Sequence, residues 1–532
     1  MSNFKKYGLS WETKTEDIFE HCNINIPYII ENKKNEINSD NKKNYNYLIQ
    51  SDNYQALLSL GFVYRKKVDF IYIDPPYNTG ATDWKYNNKF VDTEDSFRHS
   101  KWLNMMYIRL KIAKELITDE GLIVVAIDDH ELFNLGLMLD QLFGEQNRIG
   151  IIPVRNNPAG RANSRYFATQ HEYYLVYSKN KNATEINNLL NLEGDKQPRS
   201  FSSRGGMYID KRPNNYFPIY INPKNGDISL EKTNDICIEI FPPKDKSGRQ
   251  RVWDNPPHTT QDLINSKLLI FKEVNSEYKI LRSYAQEAGQ KPKSLWVDPK
   301  YDSSAYGATL LENILGKKIF DYPKSLHAVK DAIYACSNKN AIVLDFFAGS
   351  GTTGHAVLEL NKEDGGNRQF ILVTNNENNI AEEVTYPRLK NVINGYKNLK
   401  NEKIDGLGGN LKYYEIDFVP ADNSDPSMYE LAINLVDTLC LKENTFTEHH
   451  TSKDIKIFKN EEDHYCCIVF DEDKIDQALQ KLNNTDGSYS FYIYSLGGET
   501  FDEELEDFIS EHQNTISTPF PLTMKNIYKS LK

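Results

Sequence analysis

Between Tyr47 and Ile73 the sequence reads YLIQSDNYQALLSLGFVYRKKVDFIYI, two short apolar runs separated by a turn and a helical stretch. The runs, Tyr47 to Gln50 and Val68 to Ile73, have strand length and composition, and Tyr54 to Val63 between them has helix length. A strand, a crossover helix and a second strand form a βαβ unit, whose strands are parallel and buried on both faces. That unit restricts the domain to an α/β architecture. The pattern returns at NAIVLDFFAGSGTTGHAVLEL, with a strand over Ile342 to Phe346, a glycine turn and a helix, and QFILVTNN follows as the next strand.

The chain between these units is less regular. Leu103, Met106, Leu110, Ala113 and Ile117 recur at three- and four-residue steps and predict one buried helix face, ended by Asp119-Glu120-Gly121 before the buried strand LIVVAI. From Arg155 the character changes to VRNNPAGRANSRYFATQ, where arginines sit among Asn, Gly and Pro, and a second basic knot, PKDKSGRQRVW, lies further on. Loops of that length inside a domain usually have a function. After about residue 425, HYCCIVFDED and YSFYIYSLGG read as a small α+β segment. The expected division is 1–45 as an N-terminal extension, 46–154 and 316–425 as two parts of one α/β domain, 155–315 as an insertion, and 426–532 as a C-terminal α+β domain.

With 532 residues the chain is long enough for several domains, and no window is apolar enough to span a bilayer. The first residues carry no secretory apolar segment, and Cys22, Cys237, Cys336, Cys440, Cys466 and Cys467 show no metal-ligand spacing. Both features predict an intracellular, reducing location and no metal site. The net charge of −12 weighs little against nucleic-acid binding, which depends on where the basic residues cluster.

Two strand ends carry the chemistry. In IYIDPPYNTG the strand stops at an acid, two prolines and a tyrosine. Proline lacks an N–H and disfavours helix in the residue before it, so Asp74-Pro75-Pro76-Tyr77 is a stiff extended tip offering a carboxylate, carbonyls and a ring. Gly349-Ser350-Gly351-Thr352-Thr353-Gly354 fits GxGxxG between a strand and a helix. It could be a simple tight turn or a nucleotide cofactor site, but it is not a Walker loop, because no Gly-Lys-Ser/Thr follows. In a doubly wound sheet both strand ends would face one crevice.

These residues resemble the β class of S-adenosylmethionine-dependent DNA amino-methyltransferases, in which DPPY comes first and the glycine motif late. KIFDYPKSLHAVKDAI is similar to that family's helical cofactor segment, and HEYYLVYSKN to its strand near the target base. LIQSDNYQALLSL, SAYGATLLENILGKKIFDYPKS and IAEEVTYPRLKNVINGY further resemble the Mod subunits of type III restriction-modification systems. The resemblance covers residues 45 to 420 strongly and the tail weakly. It implies a permuted Rossmann-like methyltransferase fold with an inserted target recognition domain, acting on the N6 amine of adenine in double-stranded DNA by base flipping.

The resemblance also implies roles. Asp74 and the Pro75 carbonyl would accept the amine hydrogens, Pro76 would stiffen the tip, and Tyr77 would stack on the base. Phe347, Gly349, Ser350, Gly351, Thr352 and Thr353 would wrap S-adenosyl-L-methionine, with Asp345 ordering the turn and Lys324 and Ser325 beside it. Asp52 is expected either at the cofactor's adenine side or as a helix N-cap, and Asp345 could likewise only cap its turn. Relatives often place an acid at the end of the second strand to hold the ribose. Here Thr374, Asn375 and Asn376 intervene, and Glu377 is the first acid. Arg155, Arg161 and Arg165 are expected to contact DNA. A homodimer, a restriction (Res) subunit as partner, and a cytoplasmic, nucleoid-associated protein are further expectations. The competing readings are an N4-cytosine methyltransferase, an RNA methyltransferase, a non-catalytic specificity module, and a nicotinamide- or flavin-dependent oxidoreductase.

Overall fold

A computed structural model describes residues 9–13, 16–39, 44–79, 97–160, 166–189, 198–202, 207–236, 238–274, 277–283, 290–483, 485–512 and 514–532. Chain contacts divide it into two compact units, Asn188–Pro292 and the remainder.

The larger unit is built on a 10-stranded sheet. Its strands are β1 (Asn25–Glu31), β2 (Tyr45–Gln50), β3 (Val68–Ile73), β4 (Ile117–Ile127), β5 (Arg148–Val154), β6 (Glu172–Ser178), β7 (Ile342–Asp345), β8 (Gln369–Thr374) and β9 (Asn410–Pro420), with Ile37–Asn38 paired to β9. The order across the sheet is β1-β9-β2-β8-β7-β3-β4-β6-β5. The run from β9 to β4 is parallel throughout, and antiparallel strands close both edges.

Alternation along the central strands separates two cores. Ile71, Ile73, Ile123 and Val125 face one layer, with helices α1 (Asn53–Val63), α2 (Arg98–Leu116) and α3 (Leu132–Phe143). Phe70, Tyr72, Leu122 and Val124 face the other, with α4 (Leu326–Cys336), α5 (Thr352–Asp364) and α6 (Tyr386–Asn394). Each such side chain contributes about 1.5–3 kcal/mol when removed from water. A register slip of one residue would exchange the two faces, so the packing fixes the register.

The connections create the feature that matters for function. From β3 the chain passes to β4 on one side, and from its neighbour β7 it passes to β8 on the other. The adjacent carboxyl ends of β3 and β7 are therefore the switch point where such sheets bind ligands. Asp74-Pro75-Pro76-Tyr77 and the glycine turn occupy those two ends.

Several expectations change. Ile117 does not close the helical face: α2 ends at Leu116, and Ile117 opens β4 by pairing with Val68. The β-branched pair Ile117-Thr118 favours extended backbone, so Asp119-Glu120-Gly121 lies inside the strand. Residues expected in the insertion from position 155 instead return to the main sheet as β6. The segment 426–532 forms a five-stranded sheet of its own, but it shares a core with the first layer. Leu531 in the last helix fills the space beside Gly61 of α1, and Tyr528 donates to Cys22 O at 2.5 Å.

The Asn188–Pro292 unit has a separate core of Phe201, Ile219, Ile221, Trp253 and Ile280, with Phe201 stacked on Trp253 at 5.7 Å. Its short strands form two three-stranded sheets. No described helix is long and apolar enough to cross a membrane.

Candidate active site

The tip after β3 is held from behind. Trp102 of α2 is buried and donates its indole N–H to Pro76 O at 2.6 Å. Asn78 has φ +57°, a left-handed conformation that asparagine tolerates, and its side-chain amide donates to Glu131. Glu131 is fully buried and also accepts from Asn134 at 2.8 Å, while His99 Nδ1 lies 2.6 Å from it. The tip is thus anchored on both sides of Tyr77 before any ligand arrives.

Asp74, Tyr77, Lys324 and Glu172 meet in front of it. Lys324 Nζ is 3.0 Å from Asp74 Oδ1 and 2.6 Å from Glu172 Oε2, hydrogen-bonds the Tyr77 hydroxyl, and stands 4.7 Å from the ring centroid. Glu172 Oε2 also accepts from Asn156 at 2.7 Å and from the Tyr77 hydroxyl at 3.1 Å. Asp74 Oδ1 is buried and within ion-pairing distance of Lys324, but takes no well-directed hydrogen bond. Burial raises the Asp74 carboxyl, with the charge on Lys324 pulling the other way. Burial opposes charge on Lys324, but Asp74 and Glu172 outweigh it and hold the ammonium above the ordinary lysine range. Burial and the two carboxylates keep Tyr77 a neutral phenol.

Beside this cluster, the glycine turn is closed on itself. Asp345, at the end of β7, accepts from Phe347 N at 3.0 Å and from Thr353 Oγ1 at 2.6 Å. Burial pushes its carboxyl up to about 7 against those two hydrogen bonds. Gly351 has φ +77°, and a Cβ there would meet Thr385 Cγ2 at 3.2 Å. Below the turn, Arg388 of α6 is fully buried and donates to Thr352 Oγ1 at 2.8 Å and Ser350 Oγ at 3.1 Å. Burial brings its guanidinium down to about 10 and, with the Arg388 charge, keeps His355 neutral. Ser350, Thr352 and Thr353 are buried parts of this scaffold, whereas Phe347 is half-buried.

The remaining predicted residues fall in distinct places. Asp52 is an N-cap, accepting from Tyr54 N at 2.7 Å, and its carboxylate also faces Arg109 at 3.3 Å. Arg109, buried in α2, pairs with Glu16 at 2.9 Å and reaches Asn53, which donates to Phe346 O at 3.1 Å. Ser325 caps no backbone with its side chain but donates to Lys300 O at 2.8 Å. Glu377 opens a short turn after β8 and is half-buried, while Asn375 Oδ1 is buried and lacks a hydrogen-bond partner at the strand end. Arg155 ties back to the chain through Val297 O, and Arg161 and Arg165 lie outside the described residues.

Glu172, Glu131, Arg109 and Arg388 were not anticipated as site residues. Glu172 lay in view within HEYYLVYSKN, but the partner that gives it meaning is 152 positions away.

The family model described as DNA methylase matches residues 68–385, spanning both strand ends. The chain belongs to the DNA methylase family. The chain is 31% identical over 421 residues to the EcoPI Mod subunit of a type III restriction-modification enzyme from Escherichia phage P1, covering 70% of the chain and 64% of that subunit. It therefore spans a little under two-thirds of the phage protein's length. It is also 31% identical over 413 residues to the type II methyltransferase M.KpnI from Klebsiella pneumoniae, covering 70% of the chain and 94% of that enzyme. A putative DNA modification methylase from Thermus thermophilus, solved with S-adenosyl-L-methionine, aligns with 65% of the chain and 96% of its own at TM-score 0.31 and 13% identity. The fold assignment rests on the strand order itself.

Proposed function

We propose that this protein transfers a methyl group from S-adenosyl-L-methionine to the N6 amine of adenine in double-stranded DNA. The observation that carries the reading is the buried, poorly satisfied Asp74 Oδ1 at the end of β3, next to the glycine turn at the end of β7. A buried acceptor without a well-directed donor is costly, and a ligand N–H offsets that cost.

An adenine amine is a weak nucleophile because its lone pair is delocalised into the ring. Asp74 would accept one amine hydrogen and the Pro75 carbonyl the other, favouring a pyramidal nitrogen with its lone pair free. Trp102 and Glu131 already hold the tip, so little ordering remains to be done when the base arrives. The base must leave the duplex, at a cost of a few kcal/mol that Tyr77 stacking and edge contacts offset. Asp74 then accepts the proton that the methylated amine loses.

The cofactor supplies an electrophilic methyl group. Phe347, Gly349 and Gly351 would line its methionine end. Asn375, whose buried Oδ1 is unpartnered, suits a ribose hydroxyl, in addition to the Glu377 expected from sequence. Two carboxylates facing one ammonium leave the Asp74–Lys324–Glu172 cluster net negative, which favours a cationic sulfonium nearby. Asp52 and Asp345 would act through the scaffold, the first by capping α1 and the second by closing the turn. A homodimer, a Res-type partner and a nucleoid location remain part of this proposal by likeness to Mod subunits.

Purified protein incubated with unmethylated DNA of diverse sequence and labelled S-adenosylmethionine should yield N6-methyladenine on nucleoside analysis. Label in N4-methylcytosine would reassign the base, label in RNA alone would reassign the polymer, and no transfer would reject the reading.

A further inference from the structure

We infer that Lys324 reads the ring nitrogen next to the reacting amine, donating a hydrogen bond to adenine N1 while Asp74 accepts from N6. This inference rests on the adenine reading above and adds a specificity residue to it.

The chemistry of the edge is the argument. The Watson–Crick edge of adenine presents a donor, N6–H, directly beside an acceptor, N1. A site for it needs an acceptor and a donor side by side. Asp74 Oδ1 and Lys324 Nζ are such a pair, 3.0 Å apart, and both belong to the cluster that carries Tyr77, the proposed stacking platform. The acceptor is buried and has no well-directed hydrogen bond, so it is open to the amine.

The ammonium has capacity to spare. Lysine carries three N–H donors. Glu172 takes one at 2.6 Å and the Tyr77 hydroxyl another, and the third faces Asp74, where the geometry is poor. When the amine occupies Asp74, that third donor can turn to N1 with no loss of a good hydrogen bond.

Glu172 is what makes this possible. Its Oε2 is fixed by Asn156 and Tyr77 as well as by Lys324, so it holds the ammonium in place after Asp74 is engaged. The backbone next to Lys324 is also pinned, because Ser325 is buried and bonded to Lys300 O. A lysine serving only as counter-ion to Asp74 would not need a second buried carboxylate. Cytosine shares the amine-beside-nitrogen edge, so the Asp74–Lys324 pair selects that edge and rejects bases that place a carbonyl opposite Asp74 or an N–H opposite Lys324.

The test uses duplexes carrying, at the mapped target position, adenine, 1-deazaadenine (N1 replaced by C–H) or 7-deazaadenine. For the wild type, 1-deazaadenine should lower single-turnover kcat/KM at least about tenfold, the range of a hydrogen bond to a charged donor, while 7-deazaadenine stays within about twofold. In Lys324→Met, adenine and 1-deazaadenine should become equivalent. Equal rates of the wild type on adenine and 1-deazaadenine would overturn the proposal without any variant having to fold. Discrimination that persists in Lys324→Met would overturn it too. Because unmodified adenine is in the same experiment, failure of the adenine reading itself shows as no transfer to that duplex, and it removes both claims.

Discussion

Two neighbouring parallel strands, β3 and β7, each carry an aspartate at their carboxyl ends, Asp74 just past β3 and Asp345 as the last residue of β7, yet the two carboxylates are in opposite situations. Asp345 is followed by Phe346 and Phe347 ahead of the glycine turn, and its oxygens are used up inside that turn by Phe347 N and Thr353 Oγ1. Asp74 is followed by Pro75 and Pro76, so the N–H two residues on, the one that serves Asp345, is missing here. Its nearest partner is Lys324, from a segment far away in sequence. The glycine turn uses its acid to build itself; the proline tip leaves its acid for something else. The residues immediately after a strand-end acid therefore decide whether it is structural or free to meet a ligand.

The strongest way to break that contrast is to remove Asp74. Asp74→Ala should lower single-turnover methyl transfer by about 10³-fold or more, because a positioned acceptor is lost and Lys324 is left facing Glu172 alone. Cofactor affinity, measured by equilibrium binding, should stay within about threefold. A variant that still methylates DNA within tenfold of the wild type would remove Asp74 from the chemistry.

The same contrast explains what sequence could and could not reveal. The strands at residues 47–50 and 68–73 and the glycine turn were legible because each is a local pattern of apolar runs, prolines or glycines. Lys324 was visible in YPKS, but its contact with Asp74 was not, since it joins segments 250 positions apart in the sequence. Glu172 was hidden by strand direction: β6 runs antiparallel to β4, which brings its first residue to the same end of the sheet as Asp74. Ile117 misled because helical spacing continued for one residue into a β-branched pair that the sheet captured. Arg388 stood in view within IAEEVTYPRLKNVINGY, but its burial under Ser350 and Thr352 depends on α5 and α6 packing together.

A smaller effect sharpens the other side of the comparison. Burial raises Asp345 from 3.8 to about 7, so the folded protein binds this proton more tightly than the unfolded chain does. Its contribution to stability is full below about pH 4 and is lost as pH rises toward 7, with a ceiling of about 4 kcal/mol. Asp345→Asn cannot titrate and keeps one acceptor for the turn. The stability of the wild type relative to the variant, from denaturant unfolding, should fall between pH 4.5 and 7.5. A difference that stays flat across that range would mean that the turn holds Asp345 ionised.

The smallest effect concerns binding outside both strand ends. Arg155 leaves β5 with its backbone N–H on Trp296 O at 2.8 Å and its guanidinium on Val297 O. Both partners are neutral carbonyls, so neither cancels the guanidinium's positive charge. If Arg155 meets a phosphate, Arg155→Ala should weaken DNA binding uniformly across sequences and reduce the slope of log affinity against log salt by about 1, the signature of one lost ion pair. Methyl transfer at saturating DNA should be unchanged. If Arg155 serves only to hold the 296–297 segment, the variant should lose stability while the salt slope stays the same. The two outcomes separate because a carbonyl contact releases no counter-ions and a phosphate contact does.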